Sequence, residues 1–140
     1  MTLSFRYKRV KRPDGEVKSP SIPVILSGKA TKFEFVVLLD SGADISAIPK
    51  SVAELLGLDL SGKKEEIEGI SGKAPAVQST MHLEISGRSH ERYSFDIPVK
   101  VILTEQDMPI LLGRVGFFDK FVITFDQVNE RVMLKRVLSR

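Results

Sequence analysis

The chain has 140 residues, 42% hydrophobic and 28% charged, a balance that points to one globular domain with a real core and excludes a disordered or fibrous chain. It contains no cysteine, which excludes disulfides and thiolate chemistry and fits a reducing, cytoplasmic setting, and its two histidines, His82 and His90, read as surface residues rather than metal ligands. The formal net charge is +3, with basic residues gathered at both ends (Arg6, Lys8, Arg9, Lys11, Arg12 and Arg131, Lys135, Arg136, Arg140). No aromatic platform accompanies them, so they read as a solvated face and a nucleic-acid partner is not expected. The N-terminus lacks an apolar signal-like stretch, and no run is long enough to span a bilayer.

In chain order, Leu3, Phe5, Tyr7 and Val10 alternate with polar residues and predict a first strand, followed by a Pro13-Asp14-Gly15 turn. Residues 1–20 are expected to be a structural strand, a dimer arm or a removable segment. Ser19 to Pro23 reads as a loop or edge segment, and Val24–Leu26 and Phe33–Leu39 as strands. Val36 to Leu39 is apolar throughout, the pattern of a central strand covered on both faces. Pro49 to Leu56 predicts a helix, with proline at its start, Gly57 past its end, and Val52, Leu55 and Leu56 as its apolar stripe. Lys64–Glu68 and Ala74–Ile85 predict a long hairpin around Gly69-Ile70-Ser71-Gly72. Tyr93–Leu103 and Pro109–Leu112 follow as strands, then a short helix from Arg114 to Asp119. Phe121–Phe125 and Val132–Val137 close the chain as strands. The sum is mainly β with two short helices, in a single domain over 1–140.

The segment that carries chemistry is Val37-Leu38-Leu39-Asp40-Ser41-Gly42-Ala43-Asp44-Ile45-Ser46. An acid placed directly after an apolar strand is costly without a reason. Such a placement suits acid–base work, and Gly42 lets the chain turn there. The Asp-Ser-Gly triplet alone is weak, since average usage produces Asp-Ser/Thr-Gly in roughly one chain of this length in fifteen to twenty. An Asx-type turn would explain it equally well.

The flanking residues add more. Leu38 to Asp44 resembles the active-site segment of the retropepsins, the retroviral-type aspartic proteases. Glu68-Gly69-Ile70-Ser71-Gly72-Lys73 is similar to that family's flap tip, and Ile110-Leu111-Leu112-Gly113-Arg114 resembles its hydrophobic-hydrophobic-Gly-Arg motif. The likeness spans about Pro23 to Phe125 and is nearer the cellular and microbial members than the compact viral ones. It implies a closed-barrel acid protease protomer with a flap hairpin. It implies Asp40, Ser41 and Gly42 as catalytic, and Leu39, Ala43, Asp44, Gly69, Ile70, Ser71, Gly72 and Ile110 as substrate-binding residues. It also implies a structural ion pair between Asp44 and Arg114.

Peptide hydrolysis in this family needs two carboxylates that share one proton and titrate as a unit. The chain has one Asp-Ser/Thr-Gly triplet, so the resemblance implies a homodimer acting on a peptide or protein substrate, with no metal or organic cofactor. Two rivals stand beside it: a dimerising or peptide-binding module of the same fold that does not cleave, and a basic β domain that binds nucleic acid.

Overall fold

The computed structural model describes residues 2–69, 72–104 and 107–137. In chain order the elements are β1 (Thr2–Arg6), β2 (Lys8–Arg12), β3 (Gly15–Ser19), β4 (Ser21–Ser27), β5 (Lys32–Leu39), β6 (Ser46–Pro49), α1 (Lys50–Leu56), β7 (Lys64–Gly69), β8 (Gly72–Ser86), β9 (Arg92–Ile102), β10 (Leu111–Leu112), a 3-10 turn (Phe118–Lys120), β11 (Phe121–Asp126) and β12 (Arg131–Arg136). The protein is mainly β.

The largest sheet runs β4-β5-β10-β6-β9-β8-β7. The long β8 shares one edge between β7 and β4, where His82–Glu84 meet Ile25–Ser27, so the pairings that begin at β4 return to it. Ile22, Leu26, Ile48, Leu83, Ile97 and Leu112 are fully buried inside this circuit. A second sheet, β1-β12-β11, joins the two ends of the chain. Phe117 links the two sheets, its ring 6.2 Å from Phe95 of β9 and 5.2 Å from Phe121 of β11. Among the described residues no helix is long and apolar enough to cross a membrane.

Several local expectations are corrected. The first strand is split at Tyr7, whose side chain is buried and whose N–H donates to the Glu130 carbonyl at 2.9 Å. Residues before it pair with β12, and those after it form the separate β2–β3 hairpin around Pro13-Asp14-Gly15. Of the loop and edge alternatives for the segment around Pro23, the loop is the one excluded: Pro23 lies in strand β4, opposite Val36. It lies where β8 does not reach β4, a stretch with one open edge that tolerates a missing N–H.

Strand β5 is fully covered on one face and only partly on the other, where Leu38 is half-buried. Val37 and Leu39 are buried while Val36 is 53% exposed, because the pleat alternates and only the inner face meets the core. Helix α1 is capped as expected, with Gly57 left-handed at φ 71°, but Ala53 and Leu56 face inward and Leu55 is 48% exposed. Only Leu111–Leu112 of the Pro109–Leu112 stretch is strand. The helix expected over Arg114–Asp119 shrinks to the 3-10 turn Phe118–Lys120, because Gly116 adopts φ 93° and ends any helical run before it starts.

Candidate active site

The inner face of β5 delivers the chain to Asp40. Leu38 and Leu39 run parallel to Leu111 and Leu112 of β10, and the Asp40 N–H continues that ladder by donating to the Leu112 carbonyl at 3.0 Å. The chain then turns. The Ala43 N–H donates back to the Asp40 carbonyl at 3.2 Å, and the Gly42 N–H donates to Asp40 Oδ1 at 2.9 Å. The carboxylate is thus half-buried and oriented by its own loop, with Ser41 and Gly42 exposed beside it. This is an Asx-type turn, and it leaves Oδ2 free of any bond from the turn.

The far side of the loop is tied to the residues after β10. The Arg114 and Val115 N–H groups donate to the Ala43 and Asp44 carbonyls, each at 2.9 Å. The Arg114 guanidinium donates to the Asp44 carboxylate. The Gly113 N–H donates to the hydroxyl of Ser46 at 2.9 Å, and Ser46 is fully buried. Gly113 has no room for a side chain, since a Cβ would lie 2.7 Å from the Ile45 carbonyl carbon and 2.9 Å from the Ala43 oxygen. Two loops distant in sequence are therefore laid backbone to backbone.

The structure gathers Leu39, Asp40, Ser41, Gly42, Ala43, Asp44 and Arg114 in this way. Ile110 is only 6% exposed and packs in the core beneath them, its carbonyl accepting from the Leu38 N–H at 2.8 Å. Gly69 and Gly72 pair with each other at the end of the β7–β8 hairpin. Ile70 and Ser71 lie outside the described residues. Ser46 is the member of this constellation that sequence reading did not single out. It closes the Val37–Ser46 segment without any pattern of its own, and the short strand β6 that it heads is visible only in the structure.

Asp40 does not line the cavities elsewhere on the protomer, such as one of about 480 Å³ beside His82 and Asp96 or one of about 600 Å³ beside α1. His82 is half-exposed and its Nδ1 lies 2.8 Å from Asp96 Oδ1.

The family model described as "Aspartyl protease" matches residues 22–114, from β4 to the arginine after β10. No curated protein matches the chain. Among solved structures, a retropepsin-like aspartic protease from Rickettsia conorii aligns with a TM-score of 0.57 at 21% identity, over 96% of this chain and 91% of that one. The EIAV protease complexed with the inhibitor HBY-793 aligns at 0.48 and 25% identity, over 69% of this chain and 83% of its own. The retroviral protease-like domain of Ddi1 from Leishmania major aligns at 0.46 and 14% identity, over 86% and 97%. With the matched segment spanning the Asp40 loop, the hairpin and the Leu-Leu-Gly-Arg strand, the chain belongs to the aspartyl protease family and has a retropepsin-like fold.

Proposed function

We propose that this chain is one protomer of a homodimeric aspartic endopeptidase, with Asp40 as its contribution to a shared catalytic dyad. The observation that carries the reading is the Asp40 loop itself. It presents one half-buried carboxylate, held by the Gly42 N–H and by backbone bonds to the strand below. A dyad needs a second carboxylate a few ångström away, and the chain has only one such triplet. A two-fold axis beside Asp40 supplies it from a second copy. Asp40 is half-buried while Ser41 and Gly42 beside it are exposed, which suits a site completed by a partner.

In this reading the protomer is a single-domain, closed-barrel body, and the β7–β8 hairpin is its flap. A peptide binds extended between the flap and the floor of Leu39, Gly42, Ala43 and Asp44, adding main-chain hydrogen bonds as an extra strand. Gly69, Ile70, Ser71 and Gly72 close over it, and Ile110 shapes the floor from below. Ser41 hydrogen-bonds across the axis to the partner's loop. The ionised carboxylate of the dyad takes a proton from a bound water as its oxygen attacks the scissile carbonyl carbon, and the protonated one donates a hydrogen bond to the carbonyl oxygen. Collapse of the tetrahedral intermediate breaks the C–N bond, and the leaving nitrogen takes a proton from the dyad. No metal or organic cofactor takes part.

The test is incubation with a pool of unstructured peptides from acid to neutral pH, alongside the Asp40→Asn variant and a measurement of solution mass. Cleavage should fall at least about a hundredfold in the variant, and the active species should have twice the protomer mass. Undiminished cleavage by Asp40→Asn, or an active monomer, rules the reading out.

A further inference from the structure

We infer that Ser46 is a positioning residue for Asp40, acting through the Gly113 amide. The inference rests on the aspartic protease reading of Asp40. Strand β10 ends at Leu112, so the next N–H, that of Gly113, has no strand partner in the ladder. Water is kept from it, because Gly113 is buried and the backbone of Ala43 and Ile45 occupies the place of its Cβ. A buried N–H without an acceptor is strongly disfavoured. The hydroxyl of Ser46 supplies that acceptor at 2.9 Å, and Ser46 is 0% exposed.

The bond matters for Asp40 because of what lies on either side of it. Ser46 is fixed in β6 against Val99 of β9, which is itself buried in the large sheet. Gly113 is followed at once by the Arg114 and Val115 N–H groups that hold the Ala43 and Asp44 carbonyls. Ala43 in turn donates to the Asp40 carbonyl at 3.2 Å. Without the hydroxyl, Gly113 either keeps an orphaned amide or admits a water, and a water needs the 43–45 backbone to lift. Lifting it tilts Asp40. Two carboxylates that must share one proton across an axis tolerate little tilt, so the loss appears in turnover rather than in substrate binding.

The experiment uses the full chain with Ser46→Ala and Ser46→Thr. Three readouts are kcat and KM on a cleaved peptide, amide exchange at Gly113, and the backbone amide resonances of Asp40 and Gly42. In Ser46→Ala we expect kcat to fall about tenfold or more with KM within about twofold, faster exchange at Gly113, and shifted Asp40 and Gly42 resonances. Ser46→Thr, which keeps the hydroxyl, should return kcat to within about threefold of the parent. A Ser46→Ala protein with the parent's kcat and unshifted Asp40 and Gly42 resonances overturns the inference. So does a threonine variant that regains Gly113 protection without regaining kcat. If the parent cleaves no peptide, the protease reading fails, and the Asp40 and Gly42 resonances still decide whether Ser46 positions the loop.

Discussion

Arg114 and Asp44 lie 70 residues apart and meet twice, once through the guanidinium on the Asp44 carboxylate and once through adjoining backbone. The side chains are 57% and 75% exposed, so the ion pair by itself contributes less than about 1 kcal/mol to folding. Its value lies in geometry. A planar guanidinium fixes the direction of a carboxylate in a way a lysine ammonium does not.

Arg114→Lys should therefore leave stability within about 1 kcal/mol of the parent while peptide cleavage drops severalfold. Denaturant unfolding and initial rates on one peptide check the two halves of the prediction. A lysine variant that cleaves at the parent rate would show that charge alone suffices.

Gly113→Ala tests the close approach of the two loops. The added Cβ would meet backbone atoms of Ile45 at 2.7 Å and Ala43 at 2.9 Å, which cannot rotate away. Destabilisation of about 1–3 kcal/mol is expected, with loss of cleavage. Urea unfolding measures the first; a midpoint unchanged from the parent would mean that the loops part without cost.

Phe117 follows the same loop and anchors it, its ring buried against Phe95, Phe118 and Phe121. Phe117→Ala should cost about 3–5 kcal/mol, the cost of emptying a core aromatic site. The melting transition reads it directly, and a small shift would show that the two sheets pack independently of this ring.

A pH dependence is built into the turn between β11 and β12. Hydrogen bonds from the Asn129 side chain, then from its backbone N–H, hold the Asp126 carboxyl below the ordinary carboxylate range. A depressed folded pKa means that the ionised group's stabilisation is present above the unfolded value and lost as pH falls through the folded one. Asn129→Ala should thus be less stable than the parent at neutral pH, and the gap should shrink once Asp126 is protonated. Denaturant midpoints of both proteins across the acid range decide it; a gap constant with pH would remove Asp126 from the explanation.

Local chemistry made much of this fold legible. Pro13-Asp14-Gly15 turns the β2–β3 hairpin, Pro49 and Gly57 bracket α1, and Gly72, at φ 113°, opens β8 after the hairpin end, because each requires a backbone conformation or a missing donor that few residues provide. The Asp40 triplet could be read for the same reason, since its turn is made within four residues.

Other features became clear only in three dimensions. An apolar run cannot say whether one face or two will be covered: on the outer face of β5 Leu38 is half-buried while Val36 is 53% exposed. The break at Tyr7 depends on the Glu130 carbonyl, and the Ser46 hydroxyl depends on an amide 67 residues away. The amino-acid sequence by itself determined the acid, its turn and the hairpins, since these are settled by neighbours along the chain. Tertiary structure alone decided which backbone lies over Gly113 and which strand faces are covered, because those contacts join segments whose separation leaves no trace in local periodicity.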